Sequence, residues 1–149
     1  MSQNPPAFRR WISFSLAGQS YGVDIGRVRE VLAEVQIEPV PGAPPAVLGV
    51  INLRGQIVTV LDLRAWLGRA PTSKVLRVMV LERAGAMLGL AVDAVSDVLR
   101  LVPEDIKPVP RSGEGERTDF IEGLVAREGG LLTLVSFDAL LATESLGNG

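Results

Sequence analysis

Short apolar runs alternate with turn residues along most of the chain, and within the runs the alternation has a period of two. Trp11–Leu16 reads WISFSL, with Ile12, Phe14 and Leu16 on one face and Ser13 and Ser15 on the other. That spacing predicts a half-buried strand, closed by Ala17-Gly18-Gln19-Ser20. Val47–Leu53 and Gln56–Leu61 are β-rich runs flanking Arg54-Gly55, the pattern of a hairpin. Val75–Leu81 and Met87–Val92 form a second pair around Arg83-Ala84-Gly85-Ala86, and Phe120–Ala126 and Leu131–Val135 a third around Glu128-Gly129-Gly130. Two short helices are predicted, Leu63–Leu67 capped by Asp62 and ended by Gly68, and Phe137–Ala142 capped by Ser136. The expected class is all-β with short helices.

The pattern is also written twice. At an offset of 67 residues Trp11–Leu32 lies on Val78–Leu99, with Ala17/Ala84, Gly18/Gly85, Gly22/Gly89, Val28/Val95, Val31/Val98 and Leu32/Leu99 identical and Glu30 on Asp97. Ile37-Glu38-Pro39-Val40-Pro41 recurs as Ile106-Lys107-Pro108-Val109-Pro110. At an offset of 74, Val47–Leu67 lies without a gap on Ile121–Leu141, and Gly49/Gly123, Gly55/Gly129, Thr59/Thr133, Ala65/Ala139 and Leu67/Leu141 coincide. The widening offset places insertions in loops, including Arg111–Arg117, whose Gly113, Gly115 and alternating charge predict a mobile segment. A duplicated unit of roughly 65–70 residues and about five strands predicts two small antiparallel barrels, because closure hides strand edges.

Composition narrows the chemistry. The 149 residues suit one domain, or two very small ones sharing a core, and 47% hydrophobic residues suffice to build it. Fifteen Lys+Arg against seventeen Asp+Glu leave a net charge of −2, which provides no electrostatic footprint for nucleic acid. Histidine and cysteine are absent, which excludes an imidazole base, a thiolate nucleophile, a His/Cys zinc site and a disulfide. The longest uncharged stretch, Pro39–Leu53, is fifteen residues with four prolines, short of the ~20 needed to cross a bilayer. Arg9 and Arg10 are followed by no apolar run of the kind a signal segment needs, so a soluble protein without membrane insertion is expected.

Little else points to catalysis. There is no phosphate-binding glycine loop, and only Ser73-Lys74 sets one of the two lysines, Lys74 and Lys107, beside a serine. Asp24, Glu30, Asp93 and Asp97 are candidates for carboxylate acid–base chemistry, but Glu30 and Asp97 occupy equivalent repeat positions, which favours structural or solvated roles. No acidic loop of the EF-hand kind occurs. A double barrel this rich in Val, Leu and Ile is expected to leave an apolar groove where its halves meet.

The duplication separates what both copies share from what one copy alone possesses. Glycines present in both serve turns or close backbone approach. Asn52-Leu53-Arg54-Gly55, however, aligns with Ala126-Arg127-Glu128-Gly129, so the turn glycine is shared while the Asn and Arg are not. An arginine on a turn beside a groove is a capable interface residue, its stem packing and its planar head pairing bidentately.

Tyr21-Gly22-Val23-Asp24-Ile25, Val28-Arg29-Glu30-Val31, Val40-Pro41, Gly49-Val50-Ile51-Asn52-Leu53-Arg54-Gly55 and Asp62-Leu63 together resemble the CheW adaptor family of bacterial chemotaxis. The resemblance continues through Gly89-Leu90-Ala91-Val92-Asp93, Val95-Ser96-Asp97-Val98-Leu99 and Phe120-Ile121-Glu122-Gly123, covering residues 8–142. It implies two SH3-like five-stranded barrels sharing a groove, with repeats at about 8–69 and 75–142, strands open to exchange between barrels, and flexible segments at 1–7 and 143–149. One departure is Thr59, where many members carry proline; Thr133 stands at the matching place in the second copy.

The same resemblance implies a non-enzymatic, cytoplasmic adaptor without cofactor or metal, peripheral to the inner membrane through receptor arrays. Its expected partners are the signalling tip of chemoreceptors and the regulatory domain of a CheA-type histidine kinase. Carried onto this chain, the receptor-binding set is Val28, Glu30, Gly49, Asn52, Arg54 and Gly55, with Glu30 expected to pair with Arg54. The kinase-facing residues are not assigned. Neither kinase machinery nor a receiver domain fits in this length, which favours a stand-alone adaptor. The alternatives are a CheW-like scaffold of a non-flagellar pathway for surface sensing or pilus motility and, remotely, a small carboxylate enzyme.

Overall fold

The computed structural model describes residues 8–66, 77–109 and 120–147. The segments 1–7, 67–76, 110–119 and 148–149 lie outside the described residues, and with them the expected lead, the Ser73-Lys74 pair and the Arg111–Arg117 loop.

Among the described residues, ten strands and two α-helices follow in the order β1 (Arg9–Leu16), β2 (Gln19–Asp24), β3 (Val28–Ala33), β4 (Val47–Leu53), β5 (Gln56–Leu61), α1 (Leu63–Trp66), β6 (Arg77–Arg83), β7 (Ala86–Val92), β8 (Ala94–Leu101), β9 (Ile121–Arg127), β10 (Gly130–Val135) and α2 (Phe137–Gly147). The caps act where the sequence places them. Asp62 Oδ1 accepts from the Arg64 N–H at 2.9 Å, and Ser136 Oγ from the Ala139 N–H at 3.2 Å. Helix α2 runs on to Gly147 rather than ending at Ala142 with a tail beyond it. No helix-breaking residue stands between Ala142 and Gly147.

The strands form two five-stranded sheets, β8-β1-β2-β10-β9 and β3-β6-β7-β5-β4. The first hairpin of each repeat is therefore inserted between strands of the other repeat. Both insertions use the same pairing, antiparallel on one side (β1 with β8, β6 with β3) and parallel on the other (β2 with β10, β7 with β5). Bulges recur at matching places, between Ile12 and Phe14 opposite β8 and between Val28 and Glu30 opposite β6. Neither repeat holds all five strands of a sheet by itself.

Alternation along these strands fills three apolar clusters. Ile51, Leu53, Val58, Val60, Val78 and Val80 occupy the interior of one barrel, and Trp11, Leu101, Val125, Leu132 and Leu134 that of the other. A larger cluster draws on both sheets, among them Phe14, Tyr21, Leu61, Met79, Leu88, Phe120 and Phe137. What the halves share is thus a packed core, and it fixes one barrel against the other. The two-residue turns Ala17-Gly18, Arg54-Gly55 and Ala84-Gly85 all have positive φ at both positions, as a type I′ hairpin requires.

Candidate partner-recognition site

Strand β3 and the β4–β5 turn build the site. β3 lies at the edge of its sheet, and half-buried positions alternate with exposed ones along it. Its register puts Val28 opposite Leu81 and Glu30 opposite Val80, with the bulge between them. Val28 packs against the shared core, so only part of its surface faces outward. Glu30 is directed at the β4–β5 turn, where its Oε2 accepts a charge-assisted hydrogen bond from Arg54 Nη2. Arg29 flanks the pair, its Nε 3.8 Å from Glu30 and its Nη1 2.5 Å from Glu82 Oε1.

Arg54 reaches Glu30 from an unusual backbone. Its φ is +49° and that of Gly55 +88°, and a non-glycine residue in that region costs about 1–2 kcal/mol. Asn52 offsets part of the cost. Its Oδ1 accepts from the Gly55 N–H at 2.8 Å across the turn, a bond of a kind that contributes about 0.5–1.5 kcal/mol. Asn52, Arg54 and Gly55 are all exposed, and the Arg54 side chain keeps 65% of its surface open despite the pairing.

Gly49 stands apart from this group. It is buried, its φ is +154°, and a Cβ added there would lie 2.2 Å from the Glu38 carbonyl oxygen. The close approach it permits is to the chain itself, where Glu38 and Val50 exchange backbone hydrogen bonds of 2.8 and 2.9 Å. Gly123 does the same for Ile106 and Lys107 in the second copy. Of the six residues of the sequence reading, then, four form one connected group, exposed at Asn52, Arg54 and Gly55 and half-buried at Glu30; Val28 lies beside it, and Gly49 supports the strand from within. Ile57, the register partner of Asn52, is the apolar residue the sequence reading passed over. It is 68% exposed, and the inward alternation of Val58 and Val60 foretold its outward face.

The other barrel repeats this geometry without the pair. Glu128 replaces Arg54 and Asp97 replaces Glu30, two acids that cannot pair with each other, and Ser13 and Arg127 stand where Val80 and Leu53 fill the first barrel. A cleft of about 240 Å³ opens there instead, lined by Ser13, Ser20, Asp97, Arg127, Glu128 and Leu131. Ser13 Oγ bridges the bulge, accepting from the Asp97 N–H at 2.9 Å and donating to the Asp97 carbonyl at 3.2 Å.

The remaining candidate carboxylates are held in structural contacts. Asp93 Oδ2 accepts from the Ala17 N–H at 2.9 Å and lies 3.4 Å from Arg64 Nη2. Asp24 lies 2.7 Å from Arg9, which also approaches Glu122 at 3.5 Å and covers the Trp11 ring at 4.5 Å. Burial opposes charge on Asp24, but the Arg9 hydrogen bond, the Gly26 N–H and the Arg27 charge outweigh it and hold the carboxyl below its ordinary range.

Two intertwined SH3-like barrels presenting a charged turn at one edge define a scaffold-type domain. A solved structure of that kind, described as the scaffolding protein TtCheW from Thermoanaerobacter tengcongensis, superposes with a TM-score of 0.77 at 32% identity, covering 92% of this chain and 90% of that one. The chain belongs to the CheW-like domain family, whose model matches residues 10–145. It is 36% identical to the chemotaxis protein CheW of Rhizobium meliloti over 91% of this chain and 89% of the relative. It is also 32% identical to protein PilI of Pseudomonas aeruginosa, over 82% and 71% respectively. The fold and these relatives make it a chemotaxis adaptor.

Proposed function

We propose that this chain couples the cytoplasmic tips of chemoreceptors to the regulatory domain of a CheA-type histidine kinase, and that it does so in the cytoplasm and without catalysis. The observation that carries the reading is the Glu30–Arg54 contact between β3 and the β4–β5 turn, present in one copy of the repeat and replaced by two acids in the other. A duplicated fold needs no such asymmetry for its own stability, since an exposed pair of this kind contributes ~0–1 kcal/mol. A surface specialised for one partner does need it. Val28, Glu30, Arg54 and Gly55 with exposed Ile57 supply apolar area and a directional charge to a helical receptor tip, on a turn that Asn52 braces.

Titration of the purified protein with a soluble receptor-tip fragment, and separately with the kinase regulatory domain, tests this. Arg54→Ala is expected to weaken receptor binding at least tenfold, as loss of an interface hot spot does, and to leave kinase binding and the circular dichroism spectrum unchanged. Saturable binding to neither partner would overturn the reading. The likeness to protein PilI supports a second reading, a scaffold of a non-flagellar chemosensory pathway, but the CheW of Rhizobium meliloti matches more of this chain and at higher identity.

A further inference from the structure

Within that function, we infer that Asn52 is a positioning residue of the recognition turn and not one of its contacts: its side chain holds Arg54-Gly55 in the left-handed conformation from which Arg54 reaches Glu30. This deepens the proposed function and rests on the turn facing the receptor.

Three observations carry it. First, the Gly55 N–H can only donate, so the atom 2.8 Å from it must be the Asn52 carbonyl oxygen; that acceptor is engaged before any partner arrives. Second, the equivalent turn in the other repeat has Ala126 in place of Asn52, which has no acceptor to give, and its backbone differs. Gly129 has φ +94°, but Glu128 is not among the residues with positive φ, whereas Arg54 is. The two turns have the same length, between Leu53 and Gln56 and between Arg127 and Gly130, so loop length is not the cause. Third, Arg54 on this backbone meets Glu30, so a change of turn conformation moves the guanidinium away from its partner. The Ala17-Gly18 turn uses the same device from a distance, its Ala17 N–H donating to Asp93. The Ala84-Gly85 turn is left-handed too and has alanine where Arg54 carries its long side chain. Asn52 therefore shifts the population of one turn conformation and is not required for a turn to form.

The test separates an acceptor from a contact. Asn52→Asp keeps the oxygen and loses the amide donor, and Asn52→Ala loses both. Two readouts are taken on the whole chain, hydrogen exchange of the Gly55 amide by NMR without any partner, and affinity for the receptor-tip fragment. Asn52→Ala is expected to speed Gly55 exchange and weaken binding, each about three- to tenfold, in proportion to the lost turn population. Asn52→Asp is expected to stay within about twofold of the parent in both. Equal loss of binding in both variants with Gly55 exchange unchanged would overturn the inference, because the amide would then be a direct contact. Unchanged exchange in Asn52→Ala overturns it irrespective of binding. If the parent protein fails to bind the fragment, the functional reading fails, while the exchange experiment still decides whether Asn52 holds the turn.

Discussion

Gly49→Ala is the most informative perturbation of the scaffold, because Gly123→Ala provides a matched control within the same molecule. An added Cβ at Gly49 would sit 2.2 Å from the Glu38 carbonyl oxygen and 2.7 Å from its carbon, both backbone atoms. Relief requires the segment around Glu38 to retreat by about 1 Å to reach ordinary contact, which breaks the two hydrogen bonds with Val50, at 2.8 and 2.9 Å. Those bonds contribute about 0.5–1.5 kcal/mol each, and an alanine held at φ +154° adds about 1–3 kcal/mol of strain. Together the terms predict a loss of about 2–6 kcal/mol. At Gly123 the nearest atom is Ile106 Cγ2 at 2.3 Å, a side-chain methyl, and the Lys107 carbonyl is 3.1 Å away. Gly123 is also not among the glycines with positive φ. Adjustment of Ile106 accommodates the methyl at about 1–2 kcal/mol. Urea unfolding of the two variants measures the difference directly, with denaturation midpoints compared at unchanged slope. Equal losses, or a neutral Gly49→Ala, would refute the assignment of Gly49 to internal packing.

Two further outcomes are expected. A double-mutant cycle with Glu30→Gln and Arg54→Gln should give a stability coupling of about 0.2–1 kcal/mol that shrinks with added salt, measured by thermal unfolding at low and high ionic strength; a coupling above 2 kcal/mol would mean the pair is structural. Asp24 has a carboxyl held below its unfolded value, so its contribution is present above the ordinary carboxylate pKa of about 4 and is lost as pH falls through the lowered folded value. Asp24→Asn, which keeps an acceptor for the Gly26 N–H, should therefore be less stable than the parent at pH 7 by under ~1 kcal/mol. The gap should close in acid, and a gap that widened on acidification would contradict the sign.

The hairpins, both helix caps and the internal repeat were legible in the sequence because each is a local matter. Val47–Leu53 and Gln56–Leu61 have the bounds their alternation predicts. Pairing between repeats was not legible. The same inward faces of β1 and β2 would satisfy either set of remaining strands, and nothing in a period of two names the neighbour. The edge strands β3 and β8 are also weakly marked, since their outward residues mix Arg29, Ser96 and Asp97 with the exposed Val31 and Val98. At the site, the contrast between the repeats singled out Asn52 and Arg54. It could not tell that Asn52 has already committed its oxygen to Gly55, nor that the space beside Gly49 belongs to Glu38, because both depend on how the chain returns upon itself.

If one small scaffold holds a receptor and a kinase together, both must occupy it at the same time. The measurement is the mass, by light scattering after gel filtration, of a mixture of this chain with a soluble receptor-tip fragment and the kinase regulatory domain. A ternary species containing all three is expected, and it should lose only the receptor fragment when Arg54→Ala replaces the parent. Displacement of one partner by the other would contradict it, since the receptor-facing turn and the kinase-facing surface would then be the same.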